Sequence, residues 1–516
     1  MFLINHGATS YGEENIEQYR NITSKHRGER LFRNENGKFK DVTQEAGIIN
    51  NMLGYGLSVS LSDLNNDGWT DIYVTNDYYG SDHLYLNNQD GTFKNKIKEA
   101  TKHTSLFSMG SDIADFDNNG FSDILTVDMT AEDNYGIKTG MSAMKPELFE
   151  KNIKRGLHYQ YMYNTLQLNN GSNQENNSPV FSDIAQLAGI SSTGWSWSPL
   201  FLDMNNDGLK DVFISNGIKR NFRNNDFGVY RQKQQDEIIN TVGKIREQEH
   251  LDEYITNLLD KMPSGALENY FYLNNNHYGF KELDTLDLKT QKKSYSQGAA
   301  YADLDLDGDL DIVVNNMDDE AFIYRNNESE NMSSNFLRVK LNGSEKNTFG
   351  IGTKVEIQYN TKKQMVEQYP TRGYLSSVEP ILHFGLGEVN KIDEIKITWP
   401  DGKQEIKANP SINQVATFNY SDATVEGKKN TESNTIFIDE TKVYGIGFEH
   451  EDNLYDDYIQ EPLLPHKYSQ LGPALAVGDI NNDGIDDVFV GGGKENEGVL
   501  FSKNNDSKFA PFQTIK

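Results

Sequence analysis

Asp303-Leu-Asp-Leu-Asp-Gly-Asp-Leu-Asp311 is the densest of five copies of one pattern, D-x-[DN]-x-[DN]-G-x-x-D. The others are DLNNDGWTD (63–71), DFDNNGFSD (115–123), DMNNDGLKD (203–211) and DINNDGIDD (479–487). Positions 1, 3, 5 and 9 carry oxygen donors in every copy. They are Asp63, Asn65, Asp67 and Asp71; Asp115, Asp117, Asn119 and Asp123; Asp203, Asn205, Asp207 and Asp211; Asp303, Asp305, Asp307 and Asp311; and Asp479, Asn481, Asp483 and Asp487. Carboxylate and amide oxygens at such spacing suit a hard cation, calcium above all. The glycine at position 6 permits the positive φ that turns those oxygens inward. Position 7 is Trp69, Phe121, Leu209, Asp309 or Ile485, a scatter that leaves only its backbone carbonyl in common.

These loops are not EF-hands. An EF-hand needs a bidentate Glu at position 12 and a helix on either side. Position 12 here is Val74, Thr126, Ile214, Val314 or Val490, and each loop runs into an apolar segment: IYVTN, ILTVD, VFISN, IVVNN, VFVGG. Runs this short and this rich in β-branched and aromatic residues predict buried strands.

Two further elements recur. One is a strand and turn of the type L-F-x-N…G-x-F, at residues 31–39, 84–93, 166–181, 271–280 and 500–509. The other is F-x-D-[VI]-x-x-x-A-G-I, at 39–48 and 181–190. Repeated all-β units of this kind predict a propeller or solenoid. Loop starts are 52, 88, 100 and 176 residues apart. The first spacing suits a single four-stranded blade, and the wider ones require insertions. Residues 129–165 fill one and carry Tyr159, Tyr161 and Tyr163. A second, about 219–265, predicts helix, because Ile238, Val242 and Ile245, then Leu251, Ile255, Leu258 and Met262 recur at three- to four-residue spacing. From Phe336 the pattern changes to alternating strands without Asp loops, and a polar stretch, Ser421 to Asn434, has a linker's composition. Laid against Tyr73–Asp77, the opening Phe2-Leu-Ile-Asn-His6 matches the strand after a loop. The chain therefore reads as a piece of a longer protein, cut within a repeat near Lys516 as well.

The formal net charge is −28, with sixteen carboxylates at positions 1, 3, 5 and 9 of the five loops; five divalent ions would reduce it to about −18. No basic footprint for nucleic acid is present. With no cysteine, disulfides and thiol chemistry are excluded. No apolar run reaches the length of a membrane-spanning helix. Trp195 and Trp197 in TGWSWSP read as packing between blades rather than a sugar platform. His383 reads as a core or turn residue.

The loop-and-strand repeats resemble FG-GAP, or VCBS-type, repeats, the blades of integrin-like propellers. The block LNG…GIGTKV…RGYLSSVEPILHFGLG…ITWPDG looks like an UnbV/ASPIC module, and the stretch 448–493 resembles the start of a second propeller. The resemblance implies an all-β fold. A propeller would occupy 1–330, with a helical insert at about 219–265. A small β domain (331–420), a linker (421–435) and the start of a second FG-GAP propeller (436–516) would follow. It implies structural calcium in the five loops and an extracellular or cell-surface location, outer-membrane-associated in a bacterium. It also implies a protein or glycan partner, with no catalysis. The alternative is a propeller-based polysaccharide lyase or hydrolase, for which Tyr159, His158 and Arg155 are the nearest candidates.

Overall fold

Every Asp loop joins two antiparallel strands, the placement its flanking apolar run predicts. The computed structural model describes residues 1–6, 15–140, 145–173, 176–241, 248–283, 292–331, 334–426, 440–452, 455–461, 464, 467–503 and 508–515. They fall into two compact units, Met1–Lys429 and Asn430–Lys516. Val242, Ile245, residues 427–435 of the expected linker, and residues 436–439, 453–454, 462–463, 465–466, 504–507 and 516 of the expected second propeller lie outside the described residues, as do the side chains of Ile238 and Leu251.

In the first unit, five antiparallel sheets follow one another as blades. Blade I comprises Phe2–Leu3, Arg30–Glu35 and Lys38–Asp41. Blade II comprises Gly56–Ser62, Asp71–Asn76, His83–Asn87 and Phe93–Asn95. Blade III comprises Ser111–Ala114, Asp123–Thr126, Thr165–Ser172 and Pro179–Asp183. Blade IV comprises Ser196–Leu202, Asp211–Asn216, Tyr270–Asn274 and Phe280–Glu282, and blade V Ser296–Ala302, Asp311–Asn316 and Phe322–Tyr324.

The cores lie between blades, as in a β-propeller. Leu64, Tyr73 and Leu84 of blade II meet Ile113, Ile124 and Phe181 of blade III, and Leu200, Phe213 and Phe271 of blade IV meet Ile312 and Val314 of blade V. The second strand of a blade is covered on both faces, so Asp71–Asn76 and Asp211–Asn216 are buried at every residue. That explains why these segments read as continuous apolar runs rather than alternating ones. The first strands adjoin around a common axis. Ser60 Oγ donates to Ser111 O (3.0 Å) and Phe201 N–H donates to Asp112 Oδ2 (2.7 Å), while from the second strand of blade IV Ser215 Oγ donates to Gln297 O on the first strand of blade V.

The insertions are helical. Asn225–Thr241 and Gln248–Lys261 occupy the second, where periodicity predicts helix. The first contains Asn134–Gly140 and Pro146–Lys154, then the short strand Gln160–Tyr161, which pairs in parallel with Thr104–Ser105. Neither helix has a fully buried residue, and Phe149 of the second packs on Tyr159 and Tyr161.

Residues from Asn335 form a β-sandwich. One sheet sets Asn335–Asn342 between Ile381–Gly387 and Val415–Asn419. The other runs Lys362–Glu367, Lys354–Tyr359, Glu394–Thr398, Lys403–Ala408, Val425–Glu426. Leu337, Val339, Ile357, Phe384, Ile397 and Trp399 fill the space between. The last strand extends the sheet beyond residue 420, because an edge strand pairs through its backbone whatever its side chains. A hairpin, Thr371–Arg372 with Ser376–Ser377, projects from the sandwich against the first strands of the blades.

The second unit holds one four-stranded antiparallel sheet, Leu475–Gly478, Asp487–Val490, Gly498–Lys503 and Phe509–Ile515, with the fifth Asp loop between its first two strands. Among the described residues of the whole chain, no helix is long and apolar enough to cross a membrane.

Candidate metal centres

The five loops share one hydrogen-bond frame. The position-1 carboxylate caps the turn. Asp63 accepts from Asp67 N–H (2.8 Å) and Gly68 N–H (2.9 Å), Asp203 from Asp207 N–H (3.1 Å) and Gly208 N–H (2.9 Å), and Asp479 from Asp483 N–H (3.1 Å) and Gly484 N–H (2.8 Å). Asp303 does the same with Asp307 and Gly308, and Asp115 accepts from Gly120 N–H at 3.0 Å. The position-9 carboxylate reaches back to the N–H of position 2, as Asp71 does to Leu64 (3.0 Å) and Asp123 to Phe116 (3.1 Å). The position-5 side chain accepts from the N–H of position 7, including Trp69, Phe121 and Leu209. Position 6 has φ between 84° and 98° in all five loops, which only glycine adopts without strain.

Oxygens with no steric freedom to avoid one another are thereby brought together. Positions 1 and 9 are buried in the first four loops, whereas Asn119, Asp207 and Asp305 stand at the exposed mouth. Asp115, Asp117 and Asp123 place carboxylate oxygens within 4.8 Å of one another, and so do Asp303, Asp305 and Asp307. Burial first, and the neighbouring Asp117 carboxylate second, push Asp115 up to about 7. Burial also raises Asp71, Asp123 and Asp211 well above the carboxylate range. Asp115 Oδ1 and Asp487 Oδ1 are buried with no hydrogen-bond partner. A crowded carboxylate with an unused, buried lone pair suits a cation, so the donor set fits a hard divalent ion.

Two asparagine series tie the loops to the blades. The first is the Asn at or near the end of the third strand of a blade, the N of the L-F-x-N element in most copies. Asn169 N–H donates to Asp123 Oδ1 (2.7 Å), while its amide donates to Ser122 O (3.0 Å) and, across to blade II, Leu64 O (2.9 Å). Asn274 and Asn326 repeat this, reaching Phe116 O (3.0 Å) and Met204 O (2.7 Å) of the preceding blades. The second is the position-4 Asn, itself at positive φ. Asn66 donates to Gly120 O (3.0 Å), Asn118 to Gly208 O (2.9 Å) and Asn206 to Gly308 O (3.2 Å), linking four loops in series. The recurrence of asparagine at both places was visible; its partners, one blade away, were not.

The sandwich closes over this loop face. Lys354 Nζ reaches Asn66 Oδ1 (2.6 Å) and Asp63 Oδ2 (3.4 Å), and Arg338 Nη1 pairs with Asp303 Oδ2 (2.9 Å) while its other arm holds Glu379. His383 Nε2 meets Asn206 Oδ1 at 2.6 Å; burial holds its imidazole neutral, well below the usual histidine range. Gly385 lies so close to the third loop that a Cβ there would stand 2.1 Å from Asp203 Oδ2. The hairpin then fills the axis between blades. Arg372, 9% exposed, pairs with Asp112 Oδ1 (3.0 Å) and donates to Ile113 O (2.5 Å), and Ser58 Oγ donates to Gly373 O (2.5 Å). Tyr374 packs on Trp197, with ring centroids 5.1 Å apart, while Trp195 is buried against Phe222. The tryptophans thus serve packing, as their sequence context predicts.

The description "FG-GAP-like repeat" matches residues 63–126, and "ASPIC and UnbV" matches 343–425. Residues 63–126 thus carry an FG-GAP-like repeat, and residues 343–425 an ASPIC/UnbV domain. It is 24% identical over 390 residues to cartilage acidic protein 1 of Mus musculus, covering 74% of this chain and 47% of that protein. The Homo sapiens protein is equally similar, with 46% of its length covered. The Xenopus tropicalis protein is 31% identical over 131 residues, 24% of this chain and 19% of the relative. The chain spans about half the length of the mouse and human relatives. A solved structure titled for recognition of non-reducing terminal N-acetylglucosamine by an Agrocybe aegerita lectin covers 94% of this chain and 87% of that one. Its TM-score is 0.28 at 12% identity, too loose a likeness to inform fold or ligand. FG-GAP repeats joined to an ASPIC/UnbV domain suggest an extracellular, adhesion-like module.

Of the residues considered for hydrolase or lyase chemistry, the His158 and Tyr159 rings lie 6.3 Å apart. His158 is buried with Nε2 3.1 Å from Thr101 Oγ1, Tyr159 is exposed, and Arg155 addresses Asn152.

Proposed function

We propose that the chain is a calcium-stabilised module of an extracellular or cell-surface protein that binds a protein or glycan and performs no catalysis. The observation that carries this reading is the common hydrogen-bond frame of the five loops, which crowds carboxylates in the second and fourth and leaves Asp115 Oδ1 and Asp487 Oδ1 buried without a partner. Calcium would be held by the oxygens of positions 1, 3, 5 and 9 in each loop, with the position-7 carbonyl beside them. Its role would be structural, neutralising charge that otherwise opposes closure of the loops. The Asn66, Asn118 and Asn206 links would pass that order from one blade to the next. Rigid blades with the ASPIC/UnbV sandwich on the loop face leave the opposite ends of the strands, and the helical insertions, for recognition.

The reading is tested by applying the calcium-loaded full chain to a glycan array and to a panel of extracellular matrix proteins, alongside depolymerisation assays on acidic and neutral polysaccharides. Saturable binding without turnover is expected. Turnover of any polysaccharide would overturn it.

A further inference from the structure

A cavity of about 420 Å³ opens at the end of blade II opposite its Asp loop, beside the segment 49–54 that leads into that blade. In a chain of net charge −28 it is lined by Arg20, Lys96 and Lys98. Among its described lining residues the one carboxylate is Glu99, already paired with Lys96. Arg20 ends the helix Ile16–Arg20, and Lys98 lies on the helix Ile97–Ala100. Both converge on Gly156 at the end of the first insertion. Lys98 Nζ donates to Gly156 O (2.6 Å), and Arg20 Nη1 lies 3.8 Å from where a Cβ on Gly156 would stand. Arg20 Nη2 is buried with no hydrogen-bond partner. Burial, then repulsion from Arg20, lowers the Lys98 ammonium below its usual range. Two cations are thus held close together, Arg20 half-buried and Lys98 exposed, and among the described residues neither has an ion pair. An unpaired buried guanidinium nitrogen is costly unless a ligand supplies the acceptor.

We propose that this cavity is a binding site for an anionic saccharide, whose carboxylate or sulfate sits between Arg20 and Lys98. The volume lies in the range of small-molecule sites, and a lone carboxylate from an acidic peptide would leave most of it unfilled. A sugar ring carrying the anion fills the remainder against Leu53, Tyr79 and Leu157. The planar fork of Arg20 suits a carboxylate or sulfate, with Lys98 as a point charge beside it. The identification rests on the reading of the chain as an extracellular binding module, for which it names a ligand class.

The test is calorimetric titration of the calcium-loaded full chain with four probes: an oligosaccharide of glucuronate and N-acetylglucosamine, a neutral glucose oligosaccharide of equal length, inorganic sulfate, and a glutamate tetrapeptide. Arg20→Gln and Lys98→Met are titrated in parallel, with calcium-dependent melting as the check on folding. The acidic oligosaccharide should bind, the neutral one should not, and each variant should weaken binding at least tenfold. Sulfate should compete at much higher concentration on the unmodified chain, a readout that needs no variant. Binding of sulfate or the acidic peptide as tight as that of the saccharide overturns the proposal. So does saccharide binding unaffected by both variants, although the broader binding function would then stand. Failure of every array glycan and matrix protein would instead remove that broader reading.

Discussion

Replacing Arg372 by Met tests whether the ASPIC/UnbV hairpin holds the blades together from the axis. Its guanidinium is engaged on three sides, by Asp112 Oδ1 (3.0 Å), Ile113 O (2.5 Å) and Tyr369 O (3.2 Å). Asp112 is 1% exposed and also accepts from Ile113 N–H and Phe201 N–H, so it cannot turn to solvent when Arg372 is lost. Removing one partner of such a pair costs about 3–5 kcal/mol, most of it from the charge left behind. Methionine keeps much of the aliphatic bulk, so the loss is chiefly electrostatic. The assay is urea unfolding in calcium, read by tryptophan fluorescence. All four tryptophans lie in the first unit, and Trp197 touches Tyr374 next to the hairpin. In a double-mutant cycle with Asp112→Asn, a coupling of about 2 kcal/mol is expected. A loss below about 1 kcal/mol for Arg372→Met, or no coupling, would refute the hairpin as an axial clasp.

Gly385→Ala should push the sandwich away from the third loop, since the new Cβ would meet Asp203 Oδ2 at 2.1 Å and Asn206 Cα at 2.6 Å. A loss of about 1–3 kcal/mol is expected in the same urea assay, with faster amide exchange confined to residues 203–211 and 381–387. Asn169→Ala leaves the buried carbonyls of Leu64 and Ser122 without their amide donor and should cost about 3 kcal/mol. Asn88→Ala, at an exposed turn, should stay within about 0.5 kcal/mol. Chelator-treated protein should also lose stability as pH rises. Asp115 is held at about 7 in the fold against 3.8 unperturbed, so the folded state binds the extra proton between those values. Its contribution is fully present below about 4 and is lost through about 7, a ceiling of about 4 kcal/mol. Calcium should abolish or reverse that slope; a chelated melting temperature equal at pH 5 and pH 8 would contradict this.

What a sequence shows of this chain divides by distance along it. The Asp loops are legible because their donors, their turn glycine and the strand they feed lie within about a dozen residues. The helix over Gln248–Lys261, with Leu251, Ile255 and Leu258 at three- to four-residue spacing, follows from local periodicity in the same way. The clasp was not legible. Arg338, Lys354 and Arg372 sit in alternating strands, where a basic residue ordinarily faces water, and the carboxylates that bury them lie 35, 291 and 260 residues away. Gly385 in the HFGLG motif looks like a turn residue until Asp203 is placed against it. Trp195 and Trp197 alternate in sequence, yet a register shift between Ser196 and Pro199 accompanies their different neighbours, Phe222 and Tyr374. The Asn series showed as a pattern, but its function depends on the neighbouring blade.

In the proposed function, calcium in the Asp loops holds the blades in register. The direct measurement is metal analysis of the chelator-stripped chain after calcium titration and desalting, with thermal unfolding recorded at each step. Sites filled at a hundred times their dissociation constant stabilise by about 2.7 kcal/mol each, so retained calcium and a melting temperature raised by roughly 5 °C or more are predicted. Asp115→Asn should reduce both. A chain that retains no calcium and melts at the same temperature in calcium and in chelator would contradict the account.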